Sequence, residues 1–89
     1  MRTILNLAAV AAFPAIAATA EPQCTSQPQS AWLPEAAIKD KAHAAGHKIS
    51  VFKKTPGNCY EVYGRNASGK RIEIYYNPMN GDIIKESAR

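Results

Sequence analysis

Cys24, Cys59, His43 and His47 are the cysteines and histidines of this 89-residue chain, side-chain types that support redox, nucleophilic or metal chemistry. The cysteines stand 35 positions apart, with no Cys-x-x-Cys pair and no histidine beside either one. That spacing does not suit a metal site or a redox couple; in an oxidising compartment it suits one disulfide. Closing a loop of that length should stabilise the folded state by ~3–4 kcal/mol on the chain-entropy model. His43 and His47 are four apart, the spacing that places two metal ligands on one helical face. Gly46 falls between them and ends the helix, and neither histidine has a third ligand in view. They read instead as a cation at a helix C-terminus and a residue at the start of a strand. There is no His/Cys/Asp set at usable spacing, no glycine-rich phosphate loop and no pair of carboxylates in an apolar setting. No enzyme is expected, and no cofactor or metal.

The compartment follows from the first twenty residues. Met1-Arg2-Thr3 is a short basic start, Ile4 to Ile16 is mostly apolar, and Ala18-Thr19-Ala20 is a small-x-small signal-peptidase site. Asn6 and Pro14 interrupt the apolar run, which is too short to cross ~30 Å of hydrocarbon as a helix. Cys24, behind Glu21-Pro22-Gln23, lacks the small apolar lead-in of a lipoprotein site. The expected organisation is a signal peptide over residues 1–20, an extended arm over 21–31 and a folded domain over 32–89. The exported protein would hold 69 residues (89 less the leader's 20) and no membrane span. A domain of that size has a thin core and commonly needs a covalent staple. Formal charge is +4, or +3 once Arg2 leaves with the leader. The lysines and arginines are scattered among apolar and acidic neighbours, unlike the dense one-sided footprint of a nucleic-acid binder.

The elements that must position these residues are legible in the patterning. Pro34 and Glu35 suit the first turn of a helix running to Ala45, stopped by Gly46, with Ile38, Ala42 and Ala45 inward. His47 to Lys54 alternates as a strand, Ile49 and Val51 on one face and Ser50, Phe52 and Lys54 on the other. Thr55-Pro56-Gly57-Asn58 is a turn. Two further strands follow as a hairpin: Cys59 to Gly64, and Arg71 to Tyr76, joined by the polar turn Arg65 to Lys70. Asn66-Ala67-Ser68 within it matches a glycosylation acceptor pattern but reads as hairpin loop. Tyr60, Val62, Ile72, Ile74 and Tyr76 face the helix and supply the bulk its alanines lack. Asn77 to Asp82 turns again, and Ile83-Ile84 adds a short last strand. The fold class is α+β, one helix packed on a three- to four-stranded antiparallel sheet.

Gly46-His47, Asn58-Cys59-Tyr60-Glu61-Val62, Ser68-Gly69-Lys70-Arg71-Ile72-Glu73-Ile74 and Asn77-Pro78-Met79-Asn80-Gly81-Asp82-Ile83 together resemble the PepSY domain family, in its small stand-alone periplasmic type. The resemblance spans about Trp32 to Lys85. It implies a helix on an antiparallel sheet and no catalytic motif. It also implies the company such domains keep, namely propeptides of thermolysin-like peptidases and membrane haem or iron reductases.

A lone helix covers one face of a sheet. The alternation puts Phe52, Cys59, Tyr63 and Tyr75 on the other, with Lys53, Lys54, Arg71 and Glu73 around them. That strip is either open for a peptide or protein, or covered by the arm; the disulfide draws the arm to that face and favours partial cover. Phe52, Tyr63, Arg71, Glu73 and Tyr75 form the candidate binding surface. The expected function is a monomeric, non-enzymatic periplasmic or secreted module that binds an envelope protein or peptide, modulating an extracytoplasmic peptidase. The alternative is an accessory to a membrane haem/iron redox system. Amino-terminal sequencing and mass spectrometry of the exported protein check the frame: the chain should start at Glu21 and weigh two hydrogens less than its reduced form.

Overall fold

The computed structural model describes residues 21–89; the expected signal peptide lies outside the described residues. A one-turn 3-10 helix (Gln29–Ala31) precedes α1 (Glu35–Ala44), and four strands follow: β1 (Lys48–Lys54), β2 (Tyr60–Arg65), β3 (Arg71–Tyr76) and β4 (Ile83–Ala88). The strands form one antiparallel meander in sequence order. This is the α+β arrangement the sequence implies, with β4 a full six residues long instead of a two-residue stub. Among the described residues no helix is long and apolar enough to cross a membrane.

Helix α1 begins one residue later than the proline pattern suggests. Pro34 keeps an extended ψ of 153° and caps the helix from outside. At the other end Gly46 takes φ +90°, donating to the His43 carbonyl while His47 donates to that of Ala42. This is the Schellman arrangement, which needs a left-handed residue after the last helical turn. Ile38 and Ala42 are buried, whereas Ala45, expected inward, is exposed.

The core lies between α1 and the near face of the sheet: Ile38, Ala42, Tyr60, Val62, Ile72, Ile74 and Tyr76, bordered by Trp32, Leu33, Ile49 and Phe52. The helix contributes small side chains, so the strands approach it closely and their aromatics fill the space. Tyr60 is the hub. Trp32 meets its ring edge-on at 5.4 Å, Phe52 at 5.1 Å, and its hydroxyl donates to the Leu33 carbonyl at 2.8 Å. Arm and helix start are thereby fastened to the sheet by one side chain that is apolar along its body and polar at its tip. The turn at 77–82 completes the seat: Leu33 N–H donates to the Pro78 carbonyl, and Gly81, at φ +80°, lies under Ile38 and Lys41.

The disulfide joins Cys24 to Cys59. Around it Cys24 N–H donates to the Gly57 carbonyl, and the Asn58 amide to the Thr25 carbonyl. Gly57 is buried so tightly under the arm that a Cβ there would collide with the Pro22 carbonyl. The arm is thus built into the β1–β2 turn. A domain this small has a total stability of about 5–10 kcal/mol, so a link worth ~3–4 kcal/mol is a large share of it. The double variant Cys24→Ser/Cys59→Ser should lose about that much in urea unfolding, its midpoint falling by roughly a third or more. An unchanged midpoint would refute this role.

Candidate functional site

The face of the sheet away from α1 is organised by the β2–β3 hairpin. Each pair, from Tyr60 with Tyr76 to Arg65 with Arg71, is symmetric about Ser68. Asn66 fixes the turn by accepting from the amides of Ser68 and Lys70 through its side chain, and Gly69 supplies φ +80°. Side chains opposite one another share a face, so rows can be read across the outer surface. One row holds Lys53, Glu61, Tyr75 and Lys85; the next holds Val51, Tyr63, Glu73 and Ser87; the last holds Lys48, Arg65, Arg71 and, just past β4, Arg89.

Of the five residues expected on this surface, Tyr63, Arg71, Glu73 and Tyr75 occupy it and Phe52 does not. Phe52 pairs with Val62, touches the Tyr60 ring and borders the core, with the Lys39 ammonium 5.1 Å from its ring centre. Val51 takes the outer position instead, opposite Tyr63, and is 48% exposed. The cause is a bulge: the register of β1 jumps between Ile49 and Val51, leaving Ser50 unpaired and inverting the alternation beyond it. Gly64 is the local reason. Opposite Ile49, it allows an approach so close that any Cβ would collide with the Lys48 carbonyl. A glycine inside a strand is the signal for such a bulge, and strict alternation overrode it.

The carboxylates are the second departure from the expected picture. Glu61 is only 1% exposed although it lies on the outer face, and neither carboxylate oxygen has a hydrogen-bond partner within the described chain. Its nearest countercharge is the Lys53 ammonium at 3.9 Å. Glu73 sits diagonally across from it and accepts the Tyr75 hydroxyl at 3.0 Å. Burial raises the Glu61 carboxyl above the ordinary range near 4.5, and the neighbouring Glu73 adds to the rise while the Tyr63 and Tyr75 hydroxyls oppose it. Glu73 is lowered, chiefly by the neighbouring Glu61 carboxyl, with both tyrosines and Lys85 acting in the same direction against its own burial. Tyr63 is pushed up first by the neighbouring Glu61 and Glu73 carboxylates, Tyr75 first by burial and then by the same pair. The two neighbouring acids are thus pushed in opposite directions, Glu61 up and Glu73 down, and both phenols are pushed up.

Lys53 lies 5.4 Å from the Tyr63 ring centre and Lys85 6.0 Å from that of Tyr75, so cations flank the aromatics. Beyond them a groove of about 400 Å³ is lined by Ser50, Tyr63, Arg65, Arg71, Glu73, Ser87 and Arg89, with Gly64 and Ile72 between them. At the other end the arm is joined to the β1–β2 turn by the disulfide. Its hydrogen bonds go to the β1–β2 turn and to the helix side, among the described residues. His43 is exposed on the last turn of α1; His47 follows Gly46, its Nδ1 buried without a partner. Among the described residues no three His, Cys, Asp or Glu side chains are grouped so as to hold a metal.

With the meander, its single helix and these rows in place, the comparison with known families is decisive. A model described as peptidase propeptide and YPEB domain matches residues 4–87. The chain belongs to the PepSY family. The match is wider than the 32–85 stretch on which the resemblance rests. No curated protein and no solved structure gives a significant match.

Within this PepSY domain the buried Glu61 makes stability depend on pH. A group whose folded pKa is raised gives its full contribution below the unfolded pKa, and that contribution is lost as pH rises through the folded value; Glu73, lowered, behaves in the opposite sense. Glu61→Gln copies the protonated acid and gives up one ion pair with a half-exposed lysine, worth ~0–1 kcal/mol. Its melting temperature should exceed that of the parent at pH 8, by ~4–8 °C per kcal/mol recovered. The gap should close as pH falls towards 4. A variant less stable by the same margin at every pH would contradict the burial argument.

Proposed function

We propose that the protein is a non-catalytic binding module acting outside the cytoplasm, which engages an extracytoplasmic peptidase through the outer face of its sheet. The observation that carries this reading is the set of cross-strand rows on the face opposite α1, where Tyr63, Arg71, Glu73 and Tyr75 stand together on a rigid hairpin. Family membership supports the peptidase, since the matching model is described by peptidase propeptides. The Cys24–Cys59 disulfide supports the compartment, because such links persist where the surroundings oxidise.

The chemistry of the face suits recognition. Its tyrosines keep their protons and remain hydrogen-bond donors at physiological pH, since the neighbouring carboxylates and burial raise both hydroxyls. Aromatic and arginine side chains on a rigid surface are the residue types that carry most binding energy in protein contacts. Tyr63, 38% exposed, presents a ring to a partner and lies beside the groove.

Photocrosslinking in the native envelope tests the assignment. A benzophenone amino acid replacing Tyr63 should yield an adduct with a peptidase, identified by mass spectrometry. The same group at His43, on the helix side, should yield none. Adducts from His43 alone, or with proteins unrelated to proteolysis, would reject the outer face or the partner respectively.

A further inference from the structure

The outer face ends, on the side remote from the disulfide, in a line of cations that crosses the whole sheet. Arg65 of β2 is directly opposite Arg71 of β3. Arg71 in turn exchanges both backbone hydrogen bonds with Arg89, at 2.9 Å each, and Lys48 of β1 pairs with Arg65 from the other flank. All four are exposed, and none takes part in the ion pairs formed among the described residues. Arg65 donates from Nη1 to the Gly69 carbonyl at 2.9 Å. The nearest carboxylate in the adjoining row, Glu73, is already bonded to Tyr75. Like charges placed directly opposite one another on a sheet oppose its formation, so the charges of this row do not help the sheet to pair.

We propose that the arginine row binds the carboxylates of an extended acidic segment of the protein partner. This rests on the outer face being the contact surface and adds the chemistry of what it holds. Guanidinium forks match carboxylates with two parallel hydrogen bonds, which lysine cannot offer. Adjacent strands are ~4.8 Å apart, so three arginines span roughly 10 Å, and side chains two apart in an extended peptide are ~6.6–6.8 Å apart. Two acidic residues of such a segment therefore reach two of the three guanidiniums, with the residue between them directed elsewhere. The groove of about 400 Å³ beside the row has room for an intervening side chain against Tyr63. A flat anionic surface such as a membrane fits less well. The row next to the arginines carries Glu73, which would meet its headgroups with like charge.

The test is a titration of the ¹⁵N-labelled, disulfide-bonded protein with the hexapeptide Asp-Val-Asp-Val-Asp-Val, followed by amide chemical shifts. A peptide with Asn for Asp and vesicles of phosphatidylglycerol run in parallel. Saturating shifts at Tyr63, Arg65, Arg71, Glu73 and Arg89, weakened at least tenfold by Arg71→Gln or by a rise in salt, are expected. Lys39→Gln, on the helix side, should leave them unchanged. Equal affinity for the Asn peptide, indifference to Arg71→Gln, or Arg71-dependent binding of vesicles in place of peptide would each overturn the proposal. The Tyr63 crosslink separates the two readings. If Arg71→Gln retains the peptidase adduct and the acidic peptide does not bind, the row fails alone. If the peptide binds and no adduct forms, the peptidase assignment fails alone.

Discussion

Pairing across the β2–β3 hairpin is the constraint on which both faces of this domain depend. The five-residue turn at 66–70, held by the Asn66 side chain and the positive φ of Gly69, allows one register, symmetric about Ser68. In that register Tyr60, Val62, Ile72, Ile74 and Tyr76 all point to α1, and Glu61, Tyr63, Arg65, Arg71, Glu73 and Tyr75 all point away. A slip of one residue would send five apolar side chains into water and two carboxylates into the core. The apolar face thus specifies the polar one. The grouping of charges on the outer surface is a geometric consequence of how the core must close.

The alanine-rich helix makes this economy workable. Because Ile38 and Ala42 are its only buried side chains, α1 lies close to the sheet and one tyrosine can bridge strand, arm and helix start. The disulfide then does for the arm what a larger core would do in a larger domain. It ties residues 22–25 to the β1–β2 turn at the point where Gly57 leaves no room for a side chain. The exposed tyrosine and the arginines lie together at the end of the outer face remote from this link. Inside this arrangement Glu61 is an acid held where water cannot reach it well, which is a cost to the fold. The Lys53 ammonium, 3.9 Å away, reduces that cost by its charge.

Much of the architecture was legible without coordinates. Alternation located the first three strands to within one residue, the Asn77–Asp82 turn and Gly46 punctuated them, and the cysteines announced their link through compartment and spacing. Three features were not legible in the same way. Phe52 was assigned to the wrong face because periodicity of two has no memory of an inserted residue; only Gly64, as a strand glycine, hinted at the Ser50 bulge. The length of β4 escaped because Lys85, Glu86 and Ser87 are polar. Every residue of that strand is exposed, so no burial pattern marks it. Arg65, Arg71 and Arg89 looked scattered because sequence distance hides cross-strand adjacency, although the symmetry of the hairpin about Ser68 would have joined the first two.

By itself, then, the sequence determined the kinds of element, their order, the apolar set that closes the core and the presence of a covalent staple. These are local or pairwise properties, set by side-chain period, turn chemistry and thiol count. What tertiary structure alone decided was which side chains meet. The bulge that turned Phe52 inward, the burial of Glu61 beside Glu73 and the alignment of arginines across β2, β3 and beyond β4 all depend on distances between strands. The physical reason is that register and close approach are fixed jointly by every strand in the sheet, and no single stretch of chain contains them.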